Sequence, residues 1–130
     1  MQEKNYFSTA GDSKTTIKEL KETVKKFCEE RDWDQFHNAK DLAIALSIEV
    51  SELLEIFRWK SLDEIEQLFL DDKKRGKIED EMADIFYFLL RIAQKYGVDL
   101  SRSLEKKMDK NKNRYPIEKA RGSNKKYNEF

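Results

Sequence analysis

Apolar residues recur at three- and four-residue intervals through most of this chain, and no stretch alternates apolar with polar. The pattern predicts helices and no strands. A first helix opens at Thr16, which makes a capping-box pattern with Glu19. It runs to about Arg31, with Ile17, Leu20, Val24, Phe27 and Cys28 on one stripe. A connection from Asp32 to about Asn38 holds Trp33, Phe36 and the only histidine, His37. The second helix, about 39–58, is apolar nearly all the way round, through Leu42, Ile44, Leu46, Ile48, Val50, Leu53, Leu54 and Phe57. Such a helix is central, or is covered by other subunits as well as its own.

Ser61 and Glu64 form a second capping box, for a short third helix over 62–70. Asp71 to Gly76 reads as a charged loop with Gly76 as a stop, and a fourth helix follows over about 77–96. Asp99 or Ser101 caps a fifth, whose face is Leu100, Leu104, Met108 and Asn111, and Pro116 ends it. Residues 1–14 are polar and read as disordered, and 117–130 lack apolar periodicity and read as a mobile basic tail. One domain is expected over 15–116. The fold class is all-α, a bundle of about five helices that forms oligomers.

Composition agrees with a small helical protein: 38% hydrophobic, 40% charged, one Pro and four Gly in 130 residues. The single cysteine, Cys28, excludes an intramolecular disulfide. With no signal-like apolar run and no stretch of membrane-spanning length, the expected compartment is cytoplasmic and no membrane partner is expected. The net charge of zero is unevenly spread. Residues 1–101 carry 16 Lys and Arg against 22 Asp and Glu, and residues 102–130 carry 10 against 4.

Two acidic pairs interrupt the most apolar stripes. On a wheel of about 100° per residue, Glu49 falls among Leu42, Leu46, Leu53 and Ile56, and Glu52 lies between Ala45 and Ile48. Glu81 falls among Ile85, Phe88 and Ile92, with Asp84 on the edge. A carboxylate facing a core is costly unless it is paired, protonated or bound to a cation. Four on two helices point to a divalent metal. The competing reading is an ion-pair network with Lys40, Lys77 or Arg91. An all-carboxylate set favours Mg²⁺ or Mn²⁺. A di-iron bundle requires Glu-x-x-His twice, and one histidine cannot supply it; zinc is disfavoured for the same reason. Trp33, His37 and Trp59 bracket the second helix, either as core closure or as a surface for stacking a base. Lys107, Asn111, Arg114 and Arg121 are candidates for phosphate contacts, or else part of a solvated cationic end.

The spacing Glu49-x-x-Glu52, a gap, then Glu81-x-x-Asp84 resembles the signature of the MazG-like all-α nucleoside triphosphate pyrophosphohydrolases. The segments 31–37, Phe57-Arg-Trp-Lys60, Lys107-Met-Asp-Lys-Asn111, Arg114-Tyr-Pro116 and Arg121-Gly-Ser123 narrow the resemblance to their single-domain dCTP-hydrolysing branch. The resemblance implies a helical bundle assembled as a dimer or tetramer. It implies Mg²⁺-dependent hydrolysis of a nucleoside triphosphate to the monophosphate and pyrophosphate. It makes Glu49, Glu52, Glu81 and Asp84 metal ligands, places Trp33, His37 and Trp59 near the base pocket, and places Phe88, Asn111, Lys107 and the tail's basic residues near the substrate. Glu52 and Glu55 are the candidates for orienting the attacking water. Two positions depart from animal members, which have His at the position of Val24 and Tyr at that of Phe88. The alternatives are a broad-specificity nucleotide pyrophosphatase and, from another class, a non-catalytic helical assembly protein whose tail binds nucleic acid. On the first reading no nucleic-acid partner is expected.

Overall fold

The computed structural model describes residues 11–130, all of whose regular elements are helical. The expectation of disorder for 1–14 falls outside the described residues except at 11–14, which form a turn closed by Lys14 N–H donating to Gly11 O at 3.2 Å. The chain divides into two compact units, one ending at Gly97 and one over residues 98–130.

The first unit holds α1 (Ile17–Glu30), α2 (Ala39–Phe57), α3 (Leu62–Leu70) and α4 (Asp72–Lys95). Their starts are fixed by side-chain caps. Thr16 accepts from Glu19 N–H at 3.1 Å, Asn38 caps α2, and Ser61 and Glu64 cap α3 reciprocally. α4 starts five residues earlier than its apolar pattern indicates. Asp71 accepts the Lys74 N–H at 2.9 Å and is the N-cap, so Gly76 lies inside the helix rather than ending a loop. The first turn of α4 faces solvent, and the Arg75–Glu79 pair at 2.8 Å supports it. A solvated turn of helix carries no apolar period, which is why that segment reads as a loop.

α4 is the central element and packs on α1, α2 and α3. The core is Val24, Cys28, Leu42, Leu68, Ile78, Leu90 and Ala93. α2 and α4 run antiparallel. The start of α2 meets the end of α4, where Ala39 N–H donates to Tyr96 Oη at 2.7 Å. The end of α2 lies by the start of α4, where Ile56, Lys60, Lys74 and Lys77 line one cavity. Between these ends, Glu49 and Glu81 meet.

The second unit holds α5 (Leu100–Arg114), a short α6 (Ile117–Ala120) and one 3₁₀ turn (Tyr127–Glu129). Asp99, not Ser101, caps α5, accepting from Arg102 N–H at 2.9 Å. Within 117–130, where periodicity is absent, aromatic contacts supply local order. Tyr115 meets Tyr127 and Phe130 edge-on, at 6.1 and 5.9 Å between centroids, and Arg114 lies over Tyr127 at 4.7 Å.

Candidate metal centre

Glu49 and Glu52 are one turn apart on α2, and Glu81 meets them from α4. One carboxylate oxygen from each of the three lies within 4.8 Å of the others. Glu49 and Glu81 are half-buried, and Glu52 is exposed. Glu49 Oε2 and Glu81 Oε2 are sealed from solvent and accept no hydrogen bond. A buried acceptor without a donor costs about 1–3 kcal/mol, and more when charged. Among the described residues no salt bridge reaches Glu49, Glu52, Glu81 or Asp84. The cations weighed as partners are elsewhere: Lys40 pairs with Asp41 at 3.9 Å, Arg91 pairs with Asp34, and Lys77 lines the cavity beside α3.

Electrostatics follow from that arrangement. Burial first, then the neighbouring carboxylates of Glu81 and Glu52, push Glu49 up to about 7. Burial also raises Glu81, helped by the charges of Glu52 and Asp84. Asp84 is exposed and lies outside the close trio, although its charge is felt by both buried members. Glu55 points to solvent and pairs with Arg58 at 3.4 Å. An all-oxygen donor set with two orphaned, repelling carboxylates fits a hard divalent cation, which supplies the missing partner to both oxygens.

Next along α4 is an aromatic group. Phe88 meets Tyr87 edge-on at 4.9 Å, Tyr87 meets Phe27 at 6.2 Å, and Phe27 meets Trp33 at 5.7 Å. Trp33 in turn lies 6.1 Å from the His37 ring. Trp33, His37 and Phe88 therefore belong to one neighbourhood. Trp59 does not join it, and sits at the opposite end of α2, 87% exposed, with the Arg58 guanidinium 5.0 Å from its ring. Its φ is +63°, the left-handed conformation that follows a helix C-cap and normally goes to Gly or Asn. Apart from the Arg58 guanidinium, the ring gains little from packing within the chain.

His37 has a structural engagement that spacing could not indicate. Its Nδ1 accepts from Arg91 Nε at 3.0 Å. Arg91, 1% exposed, also donates to Gln94 Oε1 at 2.6 Å and to Asp34. Lys95 donates to the carbonyls of Asp34, at 3.1 Å, and His37. Burial, then the nearby Arg91 and Lys95, lower the His37 pKa, and the Arg91 hydrogen bond lowers that of Asp34. Asp34, Gln94, Lys95 and Tyr96 were not singled out by sequence. The one available signal was an arginine on the apolar stripe of α4.

In the second unit Lys107 is exposed, Asn111 is half-buried, Arg114 is held over Tyr127, and Arg121 is the C-cap of α6.

A profile described as MazG-like family matches residues 44–130. The chain is 39% identical over 115 residues to dCTP pyrophosphatase 1 of Rattus norvegicus, spanning 88% of this chain and 68% of that protein. It is 37% identical, with the same coverage, to the Homo sapiens protein of that name. A crystal structure of a pyrophosphatase from Archaeoglobus fulgidus superposes with a TM-score of 0.72 at 36% identity, covering 77% of this chain and 92% of that one.

Proposed function

The chain belongs to the MazG-like family, and from that premise we propose that it is a dCTP pyrophosphohydrolase that clears the nucleotide pool. Its substrate is dCTP or a modified dCTP, and its products are the monophosphate and pyrophosphate. The observation that carries the reading is the pair of sealed, partnerless oxygens on Glu49 and Glu81. Glu49, Glu52 and Glu81 would hold the metal, with Asp84 completing the set and Mg²⁺ or Mn²⁺ as the ion. Such an ion would offset the acidic charge, hold phosphate oxygens and stabilise charge developing on them.

The chain's own part is positioning. Two packed helices fix the carboxylates, so little reorganisation accompanies reaction. The exposed carboxylates of Glu52, at the edge of the trio, and Glu55, which pairs with Arg58, are the ones placed to orient water and accept its proton. The rings around Trp33 and Phe88 offer a stacking surface for the base, and His37 borders it with Nδ1 already occupied; Trp59, at the opposite end of α2, would stack a base only in the site of a neighbouring copy. Lys107, Asn111, Arg114 and Arg121 are assigned to the substrate's polar groups. Residues 15–116 would form the catalytic domain and 117–130 its basic tail. The apolar residues left exposed on α2 and α4 (Ile44, Ile48, Leu54, Met82 and Phe86 among them) support assembly as a homodimer or homotetramer. No described helix is long and apolar enough to cross a membrane, and free Cys28 suits a reducing, cytoplasmic setting.

One observation favours a broader enzyme as the second reading. Phe88 has no hydroxyl to offer a base edge, and the Tyr87 hydroxyl is already engaged with Cys28 Sγ at 3.0 Å. Pyrophosphate release from a panel of dNTPs and NTPs, with Mg²⁺ and with EDTA, tests both. Metal-dependent release with dCTP preferred, abolished in Glu49→Gln, is expected. A flat profile would move the assignment to broad sanitation. No release by folded protein would leave only the non-catalytic assembly.

A further inference from the structure

A cavity of about 340 Å³ opens where the end of α2, one face of α3 and the start of α4 meet. Its lining combines Ile56, Leu68 and Gln67 with three lysines, Lys60, Lys74 and Lys77, and Glu64. None of the three forms an ion pair among the described residues. The one acid lining it, Glu64, accepts from Ser61 N–H at 3.2 Å and feels the charge of Lys60, so the lining sets three positive charges against one negative. Like charges gathered at one concave site repel, and the arrangement favours an anionic occupant.

Its position identifies the anion. On α4, Lys77 and Lys74 lie four and seven residues before Glu81, so all three share one face. Along the helix axis they stand about 6 and 10 Å from it. On α2, Ile56 is one turn beyond Glu52. Along α4 the order is therefore Lys74 and Lys77, then the carboxylate of Glu81, then the ring of Phe88, with Tyr87 beside it turned to α1. A nucleoside triphosphate has the same polarity: polyphosphate, scissile linkage, base. Cleavage to a monophosphate makes pyrophosphate the leaving group, and fixed cations beyond the scissile bond stabilise the charge it acquires.

We infer that Lys60, Lys74 and Lys77 form the subsite for the β- and γ-phosphoryl groups, and hence for departing pyrophosphate. This rests on the pyrophosphohydrolase reading, and it is additional to any contribution from residues 98–130. It fixes the direction in which substrate lies along α4.

The test uses the full chain and inorganic pyrophosphate as the probe. Binding is measured by calorimetry with and without Mg²⁺, alongside steady-state kinetics with dCTP. The Lys74→Gln/Lys77→Gln variant is compared with wild type, with Lys74→Arg/Lys77→Arg as the conservative pair, and with Lys18→Gln/Lys40→Gln as a control of equal charge. The expected result is a loss of about tenfold or more in pyrophosphate affinity and in kcat/KM for the first pair, recovered in part by arginine and absent from the control. Unchanged pyrophosphate affinity overturns the assignment. So does weakened pyrophosphate binding with unchanged kcat/KM, which would make the cavity an anion site apart from the substrate. Lysine-dependent pyrophosphate binding by a wild type that hydrolyses no nucleotide would sink the pyrophosphohydrolase reading and with it the substrate subsite, leaving an anion site.

Discussion

Two clusters of charge sit on α4, about three turns apart, and they are solved in opposite ways. At Arg91 a buried guanidinium is matched by Asp34, His37 and Gln94, and Lys95 and Tyr96 tie the same loop to the helix. At Glu81 the carboxylate meets Glu49 and Glu52, and two oxygens are left with no donor. The first cluster is complete as it stands and holds the α1–α2 connection. The second is left without a donor from the chain. Burial of charge alone does not identify a site; what distinguishes these two is whether the chain supplies the partner.

The difference can be broken from either side. Replacing Arg91 by Met removes the centre of the complete cluster, with an expected cost of about 3 kcal/mol or more, read as a fall in Tm of roughly 10 °C in EDTA. Glu49→Gln has the opposite sign on stability. It should make the metal-free protein about 1 kcal/mol more stable by removing a repelling buried charge, while lowering Mg²⁺-dependent kcat/KM by about a hundredfold or more. A variant that loses stability and activity together would place Glu49 with Arg91 as a structural residue.

pH sharpens the same contrast. Glu49 is raised from 4.5 to about 7, so its contribution to stability is present below its ordinary value and is lost as pH rises through 7. The His37 pKa is lowered from 6.5, so its contribution is present above 6.5 and is lost as pH falls. In EDTA, the Tm advantage of Glu49→Gln over wild type should widen by a few degrees between pH 5 and 8, and Mg²⁺ should close it. A gap independent of pH would contradict the assigned cause. The smallest expected effect is at Trp59. Trp59→Gly relieves a left-handed residue that is 87% exposed and should raise stability by about 0.5–1 kcal/mol in thermal melts, while raising the KM for nucleotide. A loss of stability would mean that Trp59 serves the fold.

The incomplete cluster was the more legible one from sequence. Glu49 and Glu81 break apolar stripes, and a 3.6-residue period is enough to notice that. Ser61 with Glu64 was legible for the same reason, since a cap is local. The Arg91 cluster was not, because its partners Asp34 and His37 lie 57 and 54 residues away, and a lone arginine on a stripe does not name them. The start of α4 was missed because its first turn is solvated and its cap, Asp71, sits in a run of charges. The lysine cavity needed three elements brought together, and no spacing along the chain encodes that.

The most direct test of the central claim is equilibrium binding of Mg²⁺ and Mn²⁺ to the wild type and to Glu49→Gln, by calorimetry without nucleotide. The account predicts saturable binding to the wild type, stronger as pH rises through 7 when Glu49 gives up its proton, and at least about tenfold weaker in the variant. Folded wild type that binds neither ion, or a variant that binds as well as the wild type, would contradict it.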